Sequence, residues 1–223
     1  MDTVDSTETL SRLSRQFDAG TVDTRHVDEI TDLLDSGDMD GADLGRFSEM
    51  LEQRSSNSLI DDSIDADDLL EVAKDGTLKE TQLVVTDASG TTRWLEDGYF
   101  ESGGGSSNYG WEYLESRHIE GKMIYEKRAT DFWPLGQKAK SEELPDTMTE
   151  GDVRKAVYEA VENTDTASEG RFLYDGYGTG FVDRTGVSEV RVVMKDGRIR
   201  TAWPEEGSSV WKYVSEGDHG WIK

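Results

Sequence analysis

Near Thr77 the apolar residues of this chain change from helical to strand-like spacing, and that change limits the fold more than any other feature. Before it they recur at three and four residues in Leu10–Phe17, Val27–Leu34, Leu44–Leu51 and Leu69–Val72, the period of amphipathic helices. Thr24 or Asp23, Asp43 and Asp65 stand where N-caps belong. After it, Lys79–Thr86 and Thr91–Leu95 alternate around the turn Asp87-Ala88-Ser89-Gly90. Ser188–Lys195 and Arg198–Trp203 flank Asp196-Gly197, the strongest hairpin signal in the chain. Arg171–Tyr174 and Thr179–Val182 bracket a glycine-rich turn, and Trp211, Tyr213, His219 and Trp221 continue either as a last strand or as a tail on the sheet. Helical spacing returns over residues 110–120 and after Asp146 or Thr149, where Val153, Val157, Tyr158 and Val161 share a face. There Thr149 with Asp152 reads as a capping box. The order is that of an α+β protein, with an acidic helical segment over residues 1–75 and an α+β domain of helices on an antiparallel sheet over 76–223.

Charge sharpens the division. The chain carries 48 Asp and Glu against 24 Lys and Arg, a net charge of −24. Residues 1–75 hold 21 of those acids and only Arg12, Arg15, Arg25, Arg46, Arg54 and Lys74 against them, so −15 lies there and −9 in the remainder. The carboxylates are dispersed and lysine is scarce, a composition that resembles proteins of organisms that accumulate molar salt, where self-repulsion is screened to within about 3 Å. Six Trp and clear strands argue against a disordered acidic chain. Against this background two basic islands stand out: Arg117 to Lys140, and Arg191, Lys195, Arg198 and Arg200 around Asp196. An anion is expected at one or both.

Several function classes drop out. With no cysteine, disulfides and thiolate metal sites are excluded, and three histidines leave little for a His-rich centre, so no metal or cofactor is expected. Ser36-Gly37-Asp38-Met39-Asp40-Gly41 carries the core of a calcium loop, but Phe47 stands where the bidentate Glu belongs, and an acidic inter-helix turn is the expected structure. No run of about 18 apolar residues is present to span a membrane. The acidic start, Met1-Asp2-Thr3-Val4-Asp5, has no apolar leader core, so a cytoplasmic protein is expected, with export by another route left open.

The stretch Gly110-Trp111-Glu112-Tyr113-Leu114-Glu115-Ser116-Arg117-His118 reads as a short helix, with Gly121 placed to end it. Trp111, Leu114 and His118 share a face, so a histidine lies on the apolar side beside Arg117. The plain alternative is a packed core histidine. The preceding Gly103-Gly104-Gly105-Ser106-Ser107-Asn108 is either a linker or a loop beside a site, since phosphate-binding loops favour small residues.

Two motifs in order carry a family resemblance. Arg93-Trp94-Leu95-Glu96-Asp97-Gly98 followed by Gly110-Trp111 through Arg117-His118 resembles the "WLEEG … GWxHIxxRH" run of the nuclease toxins of the barnase, EndoU, colicin and RelE-like (BECR) superfamily. Gly197-Arg198-Ile199-Arg200-Thr201-Ala202-Trp203-Pro204 resembles its closing strand, "GxIxTAYP". The resemblance spans roughly residues 80–205. Two positions differ: Tyr113 stands where the family has a first histidine, and Trp203 where it has tyrosine.

The resemblance implies metal-independent RNA cleavage, the 2′-hydroxyl attacking the adjacent phosphate to leave a 2′,3′-cyclic phosphate. His118 is then the general acid/base, with Arg117 and Thr201 beside it. Lys122, Arg200 and Arg198 are candidates to hold phosphate, and Trp203 and Trp133 to stack bases. His219 is a lesser candidate for a second proton carrier, and His26 has no expected role. RNA is the expected partner, together with an immunity protein of the kind that accompanies toxins. The alternative is a non-catalytic RNA- or protein-binding module on the same fold. Catalysis as drawn requires both basic islands to converge on His118.

Overall fold

The computed structural model describes residues 6–103, 105–119, 130–132, 149–163, 167–168, 171–175, 187–207, 210–214 and 220–222. The N-terminal helical periods become α1 (Ser6–Asp18), α2 (Thr24–Ser36), α3 (Gly41–Gln53) and α4 (Ala66–Asp75). Three of them start on a reciprocal capping box: Asp23 with His26, Asp40 with Asp43, and Asp65 with Asp68. The cap of α3 is therefore Asp40 rather than Asp43, which serves as its N3 partner. That assignment explains the calcium-like stretch: Gly37, at φ +84°, is the left-handed C-cap of α2, and Asp40 opens α3. His26 is likewise spoken for, its Nδ1 accepting the Asp23 N–H at 2.9 Å.

The apolar stripes of these helices meet in one cluster. Phe47, Met50, Leu69, Leu70 and Val72 are buried together with Val84 and Trp94 of the following hairpin. α1 lies on α3, its Gln16 Nε2 donating to the Ser48 carbonyl at 2.7 Å. The first two stripes are covered only in part: Leu10, Phe17, Val27 and Leu34 remain exposed.

The hairpin is β1 (Thr81–Thr86) and β2 (Thr92–Glu96). Its alternation buries both faces, because Val84 and Trp94 turn to the helices while Leu83, Val85 and Leu95 join a second cluster. The elements that follow are α5 (Gly110–His118), β3 (Thr130–Phe132), α6 (Glu150–Glu162), β4 (Ala167–Ser168), β5 (Arg171–Asp175), β6 (Glu189–Lys195), β7 (Arg198–Glu206), β8 (Val210–Val214) and β9 (Gly220–Ile222). α6 starts on Thr149, with the expected Asp152 capping box, and packs against β1, β5 and β6. The main sheet runs β1-β2-β7-β6-β5-β4, antiparallel except where β2 meets β7 in parallel. The α+β architecture read from the element order is what the chain adopts. The C-terminal aromatics Trp211, Tyr213 and Trp221 belong to a separate sheet, β3-β8-β9, and do not extend the main one. Thr179–Val182, Gly121, Lys122, Trp133 and His219 lie outside the described residues.

The turn of the first hairpin carries a buried acid. Burial by itself would push the Asp87 carboxyl up, but hydrogen bonds from the Ser89 hydroxyl, the Thr91 N–H and Arg93 outweigh it and hold the group below the usual carboxylate range. A carboxyl depressed in the folded state stabilises fully above its unfolded value of about 3.9, and that stabilisation is lost as pH falls through the folded value. Asp87→Asn is therefore expected to flatten the acid limb of urea-unfolding stability below about pH 4, while lowering stability at pH 7 by about 1–2 kcal/mol.

Gly98 and Gly110 fasten α5 to the hairpin. Both hold positive φ, +73° and +79°, and a Cβ on Gly98 would stand 2.2 Å from the Tyr109 carbonyl oxygen, one on Gly110 2.7 Å from the Gly98 Cα. Around that contact the Tyr99 N–H donates to Tyr109 O at 2.9 Å, and the Glu112 N–H to Asp97 O at 2.8 Å. Gly98→Ala is expected to cost about 2 kcal/mol or more in urea unfolding in concentrated KCl, against about 0.5 kcal/mol or less for Gly41→Ala in the exposed first turn of α3, where φ is ordinary and the space open. Equal losses would show that the contact does not hold α5.

Candidate functional site

α5 runs beside β7, so the two motif segments meet along their length. At the C-terminal end of α5, His118 is 3% exposed and its ring stacks on Trp203, centroids 5.7 Å apart with 24° between planes. The Trp203 indole Nε1 donates to Glu205 Oε1 at 2.7 Å. Arg191, paired across the sheet with Trp203, sets its guanidinium carbon 5.8 Å from the Trp203 ring centroid and its Nε 3.4 Å from Glu205 Oε1. Glu205 reaches this position because it is the extra residue of a bulge, Glu189 pairing with Glu206 and Val190 with Pro204.

Thr201 lies two residues before Trp203 in regular register, hence on the same face, about 7 Å along the strand. It is 5% exposed, and its Oγ1 has no hydrogen-bond partner among the described residues. A buried hydroxyl can donate to an oxygen acceptor brought beside it. Arg117, on the turn below His118, donates to the Tyr113 hydroxyl, and its guanidinium carbon lies 5.6 Å from the Tyr113 ring centroid. Tyr113 in turn stacks on Phe100 at 6.2 Å. Tyr113 therefore positions Arg117.

The expected convergence of both basic islands on His118 is not what the described residues show: Lys122 to Lys140 of the first bring no described cation, and the second island divides. Arg191 joins the His118 end, as above. Arg200 is the extra residue of a second bulge, between the pairs Val193–Thr201 and Met194–Ile199. Its Nε donates to Asn108 O at 3.0 Å and its Nη2 to Gly105 O at 3.1 Å. Asn108 itself closes the Gly/Ser loop, accepting the Glu101 N–H at 2.9 Å and donating to Glu101 O at 3.0 Å. That segment is thus a clamped loop against β7, not a linker. Arg198 donates to the Asp75 carbonyl at the end of α4 and stands 3.6 Å from Glu96. Glu96, 2% exposed, accepts from the Thr77 N–H at 2.9 Å and from Trp94 Nε1 at 3.1 Å.

Of the expected site residues, His118, Arg117 and Trp203 stand at the C-terminal end of α5, Thr201 lies about 7 Å back from Trp203 along β7, and Arg198 and Arg200 stand near the N-terminal end of α5. The helix rise separates the two ends by about 12 Å. Arg191 and Glu205 are the residues that sequence reasoning left out of the His118 group. Arg191 was legible as one of the basic island, but Glu205 depends on a bulge that alternation does not reveal. Comparison of the chain with protein-family models, curated proteins and solved structures finds no match. Among the described residues no helix is long and apolar enough to cross a membrane.

If Arg200 is the clamp of the loop, Arg200→Ala speeds amide exchange at Glu101 and Tyr109 by about tenfold, the equivalent of one lost charged hydrogen bond, with the β6 and β7 amides unchanged. Uniform acceleration across the sheet would contradict that role.

Proposed function

We propose that this protein is a metal-independent, toxin-like endoribonuclease acting in the cytoplasm, with His118 as its general acid/base. The observation that carries the reading is the stacking of His118 on Trp203, which joins the histidine of one motif to the closing strand of the other. Thr201 on the same strand face supports it through a buried hydroxyl that no described residue engages. In the proposed reaction a base removes the 2′-hydroxyl proton as the 2′-oxygen bonds to phosphorus. The bond from phosphorus to the 5′-oxygen then breaks, and an acid returns a proton to that oxygen. His118 serves one of these proton transfers, and the Thr201 hydroxyl donates to a non-bridging oxygen whose charge grows in the phosphorane. Arg117, on the last turn of α5 and bonded to the Tyr113 hydroxyl, is proposed to offset that charge, while Trp203 is a positioning residue that holds the imidazole plane. Lys122 and Trp133 remain proposed contacts for RNA. An immunity protein that covers the His118 end belongs to the same proposal.

A second reading has its own support. With His118 3% exposed and Arg117 directed to Tyr113, a non-catalytic RNA- or protein-binding module also fits. Cleavage of mixed RNA in about 2–3 M KCl with EDTA separates the two, the salt keeping so acidic a chain folded. The ribonuclease reading expects 2′,3′-cyclic phosphate ends, a loss of about 10²-fold or more in His118→Ala, and a loss of about tenfold or more in Thr201→Val. No cleavage by the folded wild-type chain would leave the binding module.

A further inference from the structure

The turn that joins β6 to β7 and the clamped Gly/Ser loop enclose a cleft that the His118 chemistry does not use. Asp196 and Gly197 both hold positive φ, +52° and +78°, the turn that keeps a two-residue hairpin tight and sets Lys195 directly opposite Arg198. The bulge then turns Arg200 toward the loop carbonyls. The result is a cleft of about 300 Å³ lined by Ser107, Tyr109, Lys195, Asp196, Arg198 and Arg200.

Its electrostatics are unusual for a chain of net charge −24. Arg200 is half-buried, yet its two bonds go to neutral carbonyls, and among the described residues neither it nor the exposed Lys195 makes an ion pair. Arg198 has Glu96 behind it at 3.6 Å, and Asp196 is exposed at the turn. Three cations thus face two carboxylates, one of which is already committed to Trp94 and Thr77. A guanidinium oriented by neutral carbonyls keeps its full charge, and its remaining N–H donors can take an anion. Burial, and after it the Glu96 carboxylate, push the Tyr109 hydroxyl up, with Arg198 opposing, so the phenol stays a hydrogen-bond donor at neutral pH.

We infer that this cleft is a phosphate subsite, in which Lys195, Arg200 and the Tyr109 hydroxyl hold a phosphodiester of an RNA strand away from the bond that is cut. The subsite lies at the N-terminal end of α5, about 12 Å from His118, so a single phosphate cannot touch both. A strand lying along α5 and β7 meets the cleft with one phosphate and the His118 end with another. The assignment to RNA rests on the ribonuclease reading; the anion site rests on its own residues.

The test is a titration of the isotope-labelled full chain with inorganic phosphate, to about 50 mM at constant ionic strength in about 2 M KCl, followed by NMR. Saturable shifts are expected at the Arg200 Nε–H and at the Ser107 and Asp196 amides, in wild type and equally in His118→Ala. Lys195→Glu, at an exposed position, should weaken binding about tenfold without disturbing the rest of the spectrum. Absence of saturable shifts, or equal affinity in Lys195→Glu, overturns the subsite. A single-stranded RNA oligonucleotide added to His118→Ala should move the same resonances; if only inorganic phosphate does so, the RNA assignment falls and the anion site stands. In cleavage, Lys195→Glu should raise KM about tenfold and lower kcat far less. A wild-type chain that binds phosphate but cuts no RNA removes the ribonuclease reading and leaves the anion site in place.

Discussion

The contact between Gly98 and Gly110 sets where everything functional can stand. It brings two backbones together with no side chain between them, and the Tyr99–Tyr109 and Asp97–Glu112 hydrogen bonds close around it. With α5 pinned at its first turn, nine residues of helix suffice to carry His118 to Trp203. The same pin holds Asn108 and Tyr109 beside Arg200. The tryptophan and acid of the first motif serve the same end: Trp94 fills the space that a Cβ on Gly197 would occupy, and Glu96 ties Trp94 to Thr77 with Arg198 beside it. The "WLEDG" run thus acts through structure, fixing where α5 and β7 lie.

β7 then distributes polar residues by breaking its own alternation. A regular strand would turn Arg198, Arg200 and Ala202 to one face and Ile199, Thr201 and Trp203 to the other. The bulge at Arg200 lets Ile199 and Ala202 both enter the core while Thr201 and Trp203 turn toward α5. Arg200 is released to the loop, and the bulge at Glu205 releases an acceptor for the Trp203 indole. One strand in this way supplies core, a buried hydroxyl and two separated charges within nine residues.

These features mark what was legible in the sequence. Elements ruled by local chemistry were: the capped helices, the Asp196-Gly197 hairpin, the Thr149 capping box and the α+β order all follow from turn and cap residues. The motif order also led to the pairing of His118 with Trp203 as one group. What escaped depends on long-range register. The parallel meeting of β2 with β7, the separate sheet that takes Trp211, and both bulges are decided by packing across many residues of chain. Hence Arg198 and Arg200, adjacent to Thr201 in sequence, left the His118 group, and Asp43 yielded its cap to Asp40 by three residues.

The acidity of the chain is compatible with a phosphate-binding role because the charge is partitioned by structure. The helices that hold most of it pack on the Val84 and Trp94 face of the first hairpin. Their nearest cationic link to β7 is Arg198, through the neutral Asp75 carbonyl rather than a carboxylate. Coulombic repulsion from charges more than a few ångströms away is lost in concentrated salt, whereas donors already aimed by a fixed backbone keep their geometry. Arg200 meets that condition, since carbonyls orient its guanidinium without neutralising it. In such a protein anion recognition has to be local and preorganised, and a guanidinium clamped between a bulge and a closed loop is the form that requirement takes in the proposed subsite.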